Sequence, residues 1–329
     1  MNLYDEQSQT SDSNADEDSR AGLPWIFRIV SIERRPLANH LKRNIAHLYH
    51  DQAAVSVTWD TTKVDERLSA GSLVSPRWSN KPLSEQGYLQ IQRLLPVERA
   101  SMHVNLFDTI PYEWMQERSK LKEAKVLMDL LPESFKCLFN AIFWDYRRFY
   151  RFVVGPSSLN GHHNWKHGNL MHTIEVANHA AQLAEIRPMV NRDVLVLAAF
   201  LHDAAKADEY QFNYRRNCFE LSPRGTLIGH KLTIIEWIAA AMALYPITIA
   251  DQHYLGLMHA LTAVKSAPDW MGLREPVSPE CHLLSLADRL SGNDDLFKQT
   301  KPKQEGFGKY HKHLRGRAYL TQSENPDKH

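Results

Sequence analysis

The chain has 329 residues, 43% of them hydrophobic, and 39 Lys and Arg stand against 38 Asp and Glu for a formal net charge of +1. That length and apolar content support one large or two ordinary cores and exclude a disordered chain, while the even charge balance excludes a uniformly cationic surface, so any basic patch is local. No apolar run reaches the ~18 residues of a membrane span, and three widely spaced cysteines, Cys137, Cys218 and Cys281, point to reduced thiols in a cytoplasmic protein.

Residues 1–23 are rich in Ser, Asp and Glu and have no apolar centre, which predicts an acidic tail and not a signal peptide. Residues 24–100 read as β. Trp25–Ile32, Ser72–Ser75 and Gly87–Leu94 are strand candidates, and Ala53–Trp59 alternates Val55, Val57 and Trp59 with Ser56 and Thr58. Four or five short strands in this span suit a small barrel.

From residue 105 the period becomes helical. Over 105–155, a connector, Glu113–Leu131 and Pro132–Arg151 are expected as two helices, with Pro111 and Pro132 as boundaries. Residues 156–296 are expected to be helical throughout, as Leu170–Ala184, Asp193–Lys206, Gly229–Leu244, Asp251–Val264 and Pro279–Ser291. Ser278 and Pro279 supply an N-cap and a first-turn proline for the last of these. Residues 297–329, polar and rich in Lys and Arg, are expected as a flexible basic tail. The expected fold class is thus α+β, a small N-terminal barrel followed by an all-α domain.

The chemistry gathers at Val196-Leu-Ala-Ala-Phe-Leu-His-Asp-Ala-Ala-Lys, where an apolar helix ends in His202 and Asp203 and Lys206 follows one turn later. A His-Asp pair at the end of a buried stripe is costly unless something pairs with it, and a metal ion is the obvious partner. A lone histidine is more often a satisfied core or surface residue, but here the candidates come in order. His172 lies early on the Leu170 helix, His230 follows Gly229, His259 lies on the next helix and Asp288 on the last. Imidazole and carboxylate donors without cysteine suit Mn, Fe, Ni, Mg or Zn in a hydrolytic site and disfavour a structural zinc.

This order, H…HD…D, resembles the HD-domain metal-dependent phosphohydrolase superfamily. Gly161-His-His-Asn-Trp-Lys-His-Gly-Asn-Leu-Met-His-Thr-Ile-Glu-Val-Ala, Ala199-Phe-Leu-His-Asp-Ala-Ala-Lys, Leu227-Ile-Gly-His-Lys and Leu286-Ala-Asp-Arg-Leu are similar to segments of the YhaM-type 3′→5′ exoribonucleases. The chain departs from that pattern at Ala204-Ala205, Met258-His259 and His167-Gly168. The resemblance implies an OB-fold ahead of an HD domain, and a divalent metal, Mn²⁺, at one or two ions per chain. His172, His202, Asp203 and Asp288 would hold one ion, and His230 and His259 a second, with Asp203 bridging. Lys206 is placed to meet a phosphate oxygen, the plain alternative being a solvated lysine at a helix end. His162, His163 and His167 form a loop cluster ahead of the Leu170 helix and are candidates to touch substrate phosphate or protonate the leaving oxygen, the plain alternative being a surface loop.

The expected partner is single-stranded nucleic acid, tracked on the barrel by Arg28, Lys42, Arg43, Arg77, Lys81 and Arg93, with Tyr49, Trp59 and Trp78 for stacking. Taken singly, each tryptophan is more readily a core residue. A homo-oligomer is allowed. The reading is a metal-dependent 3′→5′ exonuclease. Its rivals are an HD-type small-nucleotide phosphohydrolase, a relaxase-like DNA-processing protein and a non-catalytic binding module.

Overall fold

A computed structural model describes residues 22–321, and the acidic tail expected over 1–23 lies, but for its last two residues, outside the described residues. The described residues form two compact units, one of 22–98 with 109–111, the other of 99–108 with 112–321.

In the first unit β1 (Phe27–Pro36), β2 (Lys42–His50), β3 (Ala53–Thr61), β4 (Leu73–Trp78) and β5 (Leu89–Pro96) close into a barrel in the order β1-β2-β3-β5-β4. β3 and β5 run parallel, and every other neighbouring pair is antiparallel. This is an OB-like barrel. Phe27, Ile29, Leu48, Val57, Trp59, Val74 and Ile91 fill it. β2 has no simple alternation, because its residues are buried in two runs of three, and for that reason the period-two signal misses it.

Several residues expected on the nucleic-acid face are structural instead. Trp59 and Tyr49 are buried, and Trp78 packs edge-on to Phe27 against the core. Arg28 is fully buried and donates to the carbonyl and hydroxyl of Thr109 and to the carbonyl of Gly71. Desolvation pushes its pKa down to about 9. Arg43 pairs across the β2–β3 ladder with Asp60.

The second unit contains α1 (Arg118–Asp129), α2 (Glu133–Phe143), α3 (Tyr146–Val154), α4 (Gly168–Glu185), α5 (Arg192–Leu201), α6 (Lys206–Glu209), α7 (Pro223–Leu227), α8 (His230–Leu244), α9 (Asp251–Thr262) and α10 (Pro279–Thr300). The helix expected over Pro132–Arg151 is two, because Asp145 N-caps α3 by accepting the Arg147 amide hydrogen bond. Within the span expected as a connector, 105–155, α1 and α3 pack on α4 in this unit, while Thr109–Pro111 belong to the first unit. Every residue from Val194 to Leu201 of α5 is buried, and the helix packs against α4, α9 and α10. Rings of Phe107, Phe139, Phe149 and Phe200 meet beside it.

Residues 156–296 are not helical throughout. β6 (Tyr210–Asn213) and β7 (Cys218–Leu221) form a hairpin between α6 and α7. Nor are 297–321 a loose tail: α10 runs on to Thr300, and β8 (Gly306–His311) and β9 (Gly316–Leu320) pair behind it. Among the described residues, no helix is long and apolar enough to cross a membrane.

Candidate metal centre

α5 carries the His-Asp pair to the edge of the core. Its C-cap is His202, whose amide bonds to the Ala198 carbonyl. The His202 ring turns its Nδ1 to the Ala199 carbonyl at 2.8 Å. An imidazole that donates from Nδ1 keeps an Nε2 lone pair for a ligand. That Nε2 lies 3.3 Å from Nε2 of His172, a fully buried residue of α4.

His172 is oriented by a relay. Its Nδ1 lies 3.0 Å from Oγ of Ser291, and Ser291 donates to Oε2 of Glu175 at 2.7 Å. With the hydroxyl proton committed to the carboxylate, the serine oxygen accepts from Nδ1, and Nε2 of His172 faces the cluster. There it lies 3.1 Å from Asp288 Oδ1 and 3.4 Å from Asp203 Oδ2. His202 Nε2 is 3.5 Å from the same oxygen of Asp203 and 4.0 Å from Asp288 Oδ1.

Donor atoms sharing one ion lie about 3 Å apart, because each bond is about 2.1 Å long. Two imidazole nitrogens and two carboxylate oxygens at this spacing therefore fit a divalent cation in chemistry and in reach. The electrostatics agree. Burial alone would lower the His172 pKa, but hydrogen bonds to the Asp203 and Asp288 carboxylates raise it. His202 is lowered by desolvation. Burial works to raise Asp203, yet Lys206 and the two histidines hold its carboxyl well below the usual range. Asp288 is also lowered, by His172 and His202, against its own burial. Both carboxylates are thus charged at neutral pH.

The other oxygen of Asp203 faces a second feature. His230, at the start of α8, sets its Nε2 3.4 Å from Asp203 Oδ1. Glu209 fixes the ring by taking both the His230 amide at 2.7 Å and Nδ1 at 2.5 Å. Lys206 donates to Asp203 Oδ2 at 2.6 Å and to Ser157 Oγ at 3.3 Å. His162, His202, Asp203, Lys206, His230 and Asp288 line one cavity of about 410 Å³.

Three expected site residues are placed elsewhere. His259 does not join the cluster: its Nε2 accepts the Val277 amide at 3.1 Å, so the partner that a half-buried imidazole needs is backbone. His167 takes a left-handed conformation (φ 73°) at the N-cap of α4 and turns Nδ1 to the Val153 carbonyl. His163 is buried beside His172, ring centroids 5.3 Å apart, with Nε2 between Ser291 Oγ and Glu175 Oε2. His162 is the loop histidine that reaches the cavity, its ring 4.9 Å from His172, and burial pushes its pKa down to about 4. The supports Glu175, Glu209 and Ser291 carry no motif of their own. Glu175 and Ser291 follow His172 and Asp288 by one helical turn, a spacing that marks candidates for the same helix face.

Residues 169–293 match the HD domain family. The chain thus contains an HD domain. The chain is similar to proteins named 3′-5′ exoribonuclease YhaM. Against the one from Bacillus licheniformis the identity is 25% over 155 residues, 46% of this chain and 48% of the relative. Against that from Listeria welshimeri it is 25% over 151 residues, 45% and 47%, and against that from Bacillus subtilis 25% over 228 residues, 68% and 65%. The chain thus spans about half the length of most of these relatives. No solved structure matches. The His172, His202, Asp203 and Asp288 cluster lies inside the matched HD domain, and the barrel lies ahead of it.

Proposed function

We propose that this chain is a metal-dependent phosphodiesterase that removes nucleotides from the 3′ end of single-stranded RNA or DNA. The observation that carries it is the convergence of Nε2 of His172 and His202 with the carboxylates of Asp203 and Asp288 inside an HD domain, in a chain similar to named exoribonucleases. These four residues would hold a divalent cation, Mn²⁺ in our reading. When bound, such an ion supplies electrophilic stabilisation of a phosphoryl oxygen and acidifies water. His230, fixed by Glu209, and the outer oxygen of Asp203 offer the beginning of a second site, to which His259 does not contribute.

The residues of the chain divide the remaining work. Asp203 presents one oxygen to each side and stays ionised because Lys206 neutralises it. The Lys206 ammonium, on the cavity wall, offers its remaining N–H to an incoming phosphate and offsets charge that develops there. Burial lowers the His162 pKa to about 4, so the ring is neutral and offers a hydrogen bond at the cavity and not a positive charge. His163 and His167 hold the loop and do not touch substrate.

The test is a product ladder. Purified protein with Mn²⁺ and 5′-end-labelled single-stranded RNA or DNA should yield bands that shorten from the 3′ end. Internal cuts only, or none, would overturn the exonuclease reading. A small-nucleotide hydrolase is the second reading, favoured by a cavity within the ~300–1,000 Å³ range of small-ligand sites. It predicts phosphate release from nucleotides with oligonucleotides left intact.

A further inference from the structure

The β8–β9 hairpin is a built surface of a particular chemistry. Gly308 and Ala318 are its buried residues, facing inward against α10. The packing is close at Gly308, where an added Cβ would fall 1.9 Å from the Thr300 carbonyl at the end of α10. Arg317 ties the strands by donating to the Gly308 carbonyl at 2.8 Å.

The residues facing away from α10 are aromatic and cationic. Phe307 and Tyr319 are register partners with ring centroids 4.7 Å apart, and Tyr310 is the partner of Arg317. Phe307, Tyr310 and Tyr319 are 63%, 67% and 58% exposed. Solvent exposure of three large rings on one short hairpin is unfavourable unless something covers them. Lys301, Lys303, Lys309 and Arg317 surround a cavity of about 600 Å³ with Phe307 and Tyr310. Glu305 is the one acidic residue from 301 to 321.

We propose that this hairpin is a second nucleic-acid contact, which stacks bases of a single strand on Phe307, Tyr310 and Tyr319 and pairs phosphates with Lys303 and Lys309. The chemistry selects this occupant. Cations alternating with exposed π-faces match a strand of alternating phosphates and bases, without sequence readout. An apolar peptide would leave the lysines unpaired, and a folded duplex would hide its bases from the rings. The location also fits. The hairpin packs against α10, whose end at Thr300 lies twelve residues beyond Asp288, or about 18 Å along the helix. A single strand a few nucleotides long spans that distance. The inference rests on the nucleic-acid reading above and adds to it a grip on the strand away from the reacting end.

The experiment uses the full chain in EDTA, so that binding is read without cleavage, by anisotropy of fluorescein-labelled dT20 and U20 across a salt series. Tyr310→Ala should weaken binding at least about five-fold. Lys303→Gln with Lys309→Gln should reduce the slope of log K against log salt by about 1.4, two phosphate contacts at ~0.7 each. These are exposed positions, and far-UV circular dichroism and the melting temperature should match the wild type. Wild-type binding retained unchanged in both variants would overturn the hairpin proposal while leaving the exonuclease reading intact. No strand binding by the wild type would overturn both. If the same substitutions release the protein from anionic phosphatidylserine vesicles but not from oligonucleotides, the surface faces a membrane and the proposal fails.

Discussion

At the scale of single residues the centre is a set of charges that stabilise one another only as a set. Asp203 lies between the His172–His202 pair and His230, with Lys206 bonded to one of its oxygens. Asp203→Asn should therefore remove essentially all bound metal by elemental analysis, together with hydrolysis. It also strands the largely buried Lys206 ammonium, at about 3–5 kcal/mol in the stability of the metal-free protein. Full metal content in that variant would sink the assignment. His259→Ala should leave the metal count unchanged, since its Nε2 is already used by Val277. His230→Ala, or Glu209→Gln at about 10–100-fold in affinity, should lose only a weaker second ion. The pH dependence follows from His172, whose pKa the neighbouring carboxylates raise above its ordinary value of 6.5. Metal binding must displace that proton. Affinity should fall about tenfold per pH unit once the pH drops below the raised value, a loss that begins above pH 6.5. Without metal the same proton stabilises the fold, fully below pH 6.5 and no longer once the pH has risen through the raised value. A competition titration with a chelating dye from pH 5.5 to 8.5 reads the first effect, and a flat profile would contradict it.

At the scale of elements, the loop from Gly155 to His167 is held by one close approach. A Cβ at Gly168, the first residue of α4, would fall 2.0 Å from the His163 carbonyl. Since His163 takes φ 48° and bonds its amide to buried Asp295, the loop has little room to retreat. Gly168→Ala should cost several kcal/mol, beyond the ~1–3 kcal/mol of ordinary overpacking. It should also displace His162 from the cavity; an unchanged urea midpoint would refute this. The sequence shows this region unevenly. The α5 stripe and the order His172, His202-Asp203, Asp288 are visible because a buried helix and its terminal ligands are local in sequence. The β2 strand is not, because its burial follows barrel closure and not the pleat. His259 could not be told from a ligand by inspection, because its partner Val277 comes from a separate segment. For the same reason His163 and His167, adjacent in motif to His162, could not be separated from it: the left-handed turns at 163 and 167 decide which ring reaches the cavity.

At the scale of the whole chain, the barrel's integrity depends on a residue far from its strands. Arg28 of β1 is fully buried, and Thr109 accepts from both its Nε and its Nη2. The chain leaves the barrel unit after Glu98 and returns to it for Thr109–Pro111. A fragment of residues 22–98 would keep all five strands and the Gly71 contact, yet lose every Thr109 acceptor. A guanidinium already pushed down to about 9 by burial would then keep its charge with fewer partners, at about 3–5 kcal/mol. That is a large fraction of the ~5–15 kcal/mol that stabilises a small domain. Residues 22–98 should therefore unfold at a much lower urea concentration than residues 22–111, read by the fluorescence of Trp59 and Trp78. Thr109→Val in the full chain, which keeps the carbonyl and deletes the hydroxyl, should fall between, at about 1–3 kcal/mol. Equal midpoints for the two fragments would show that water replaces Thr109 at no cost, and that the barrel is complete without the returning segment.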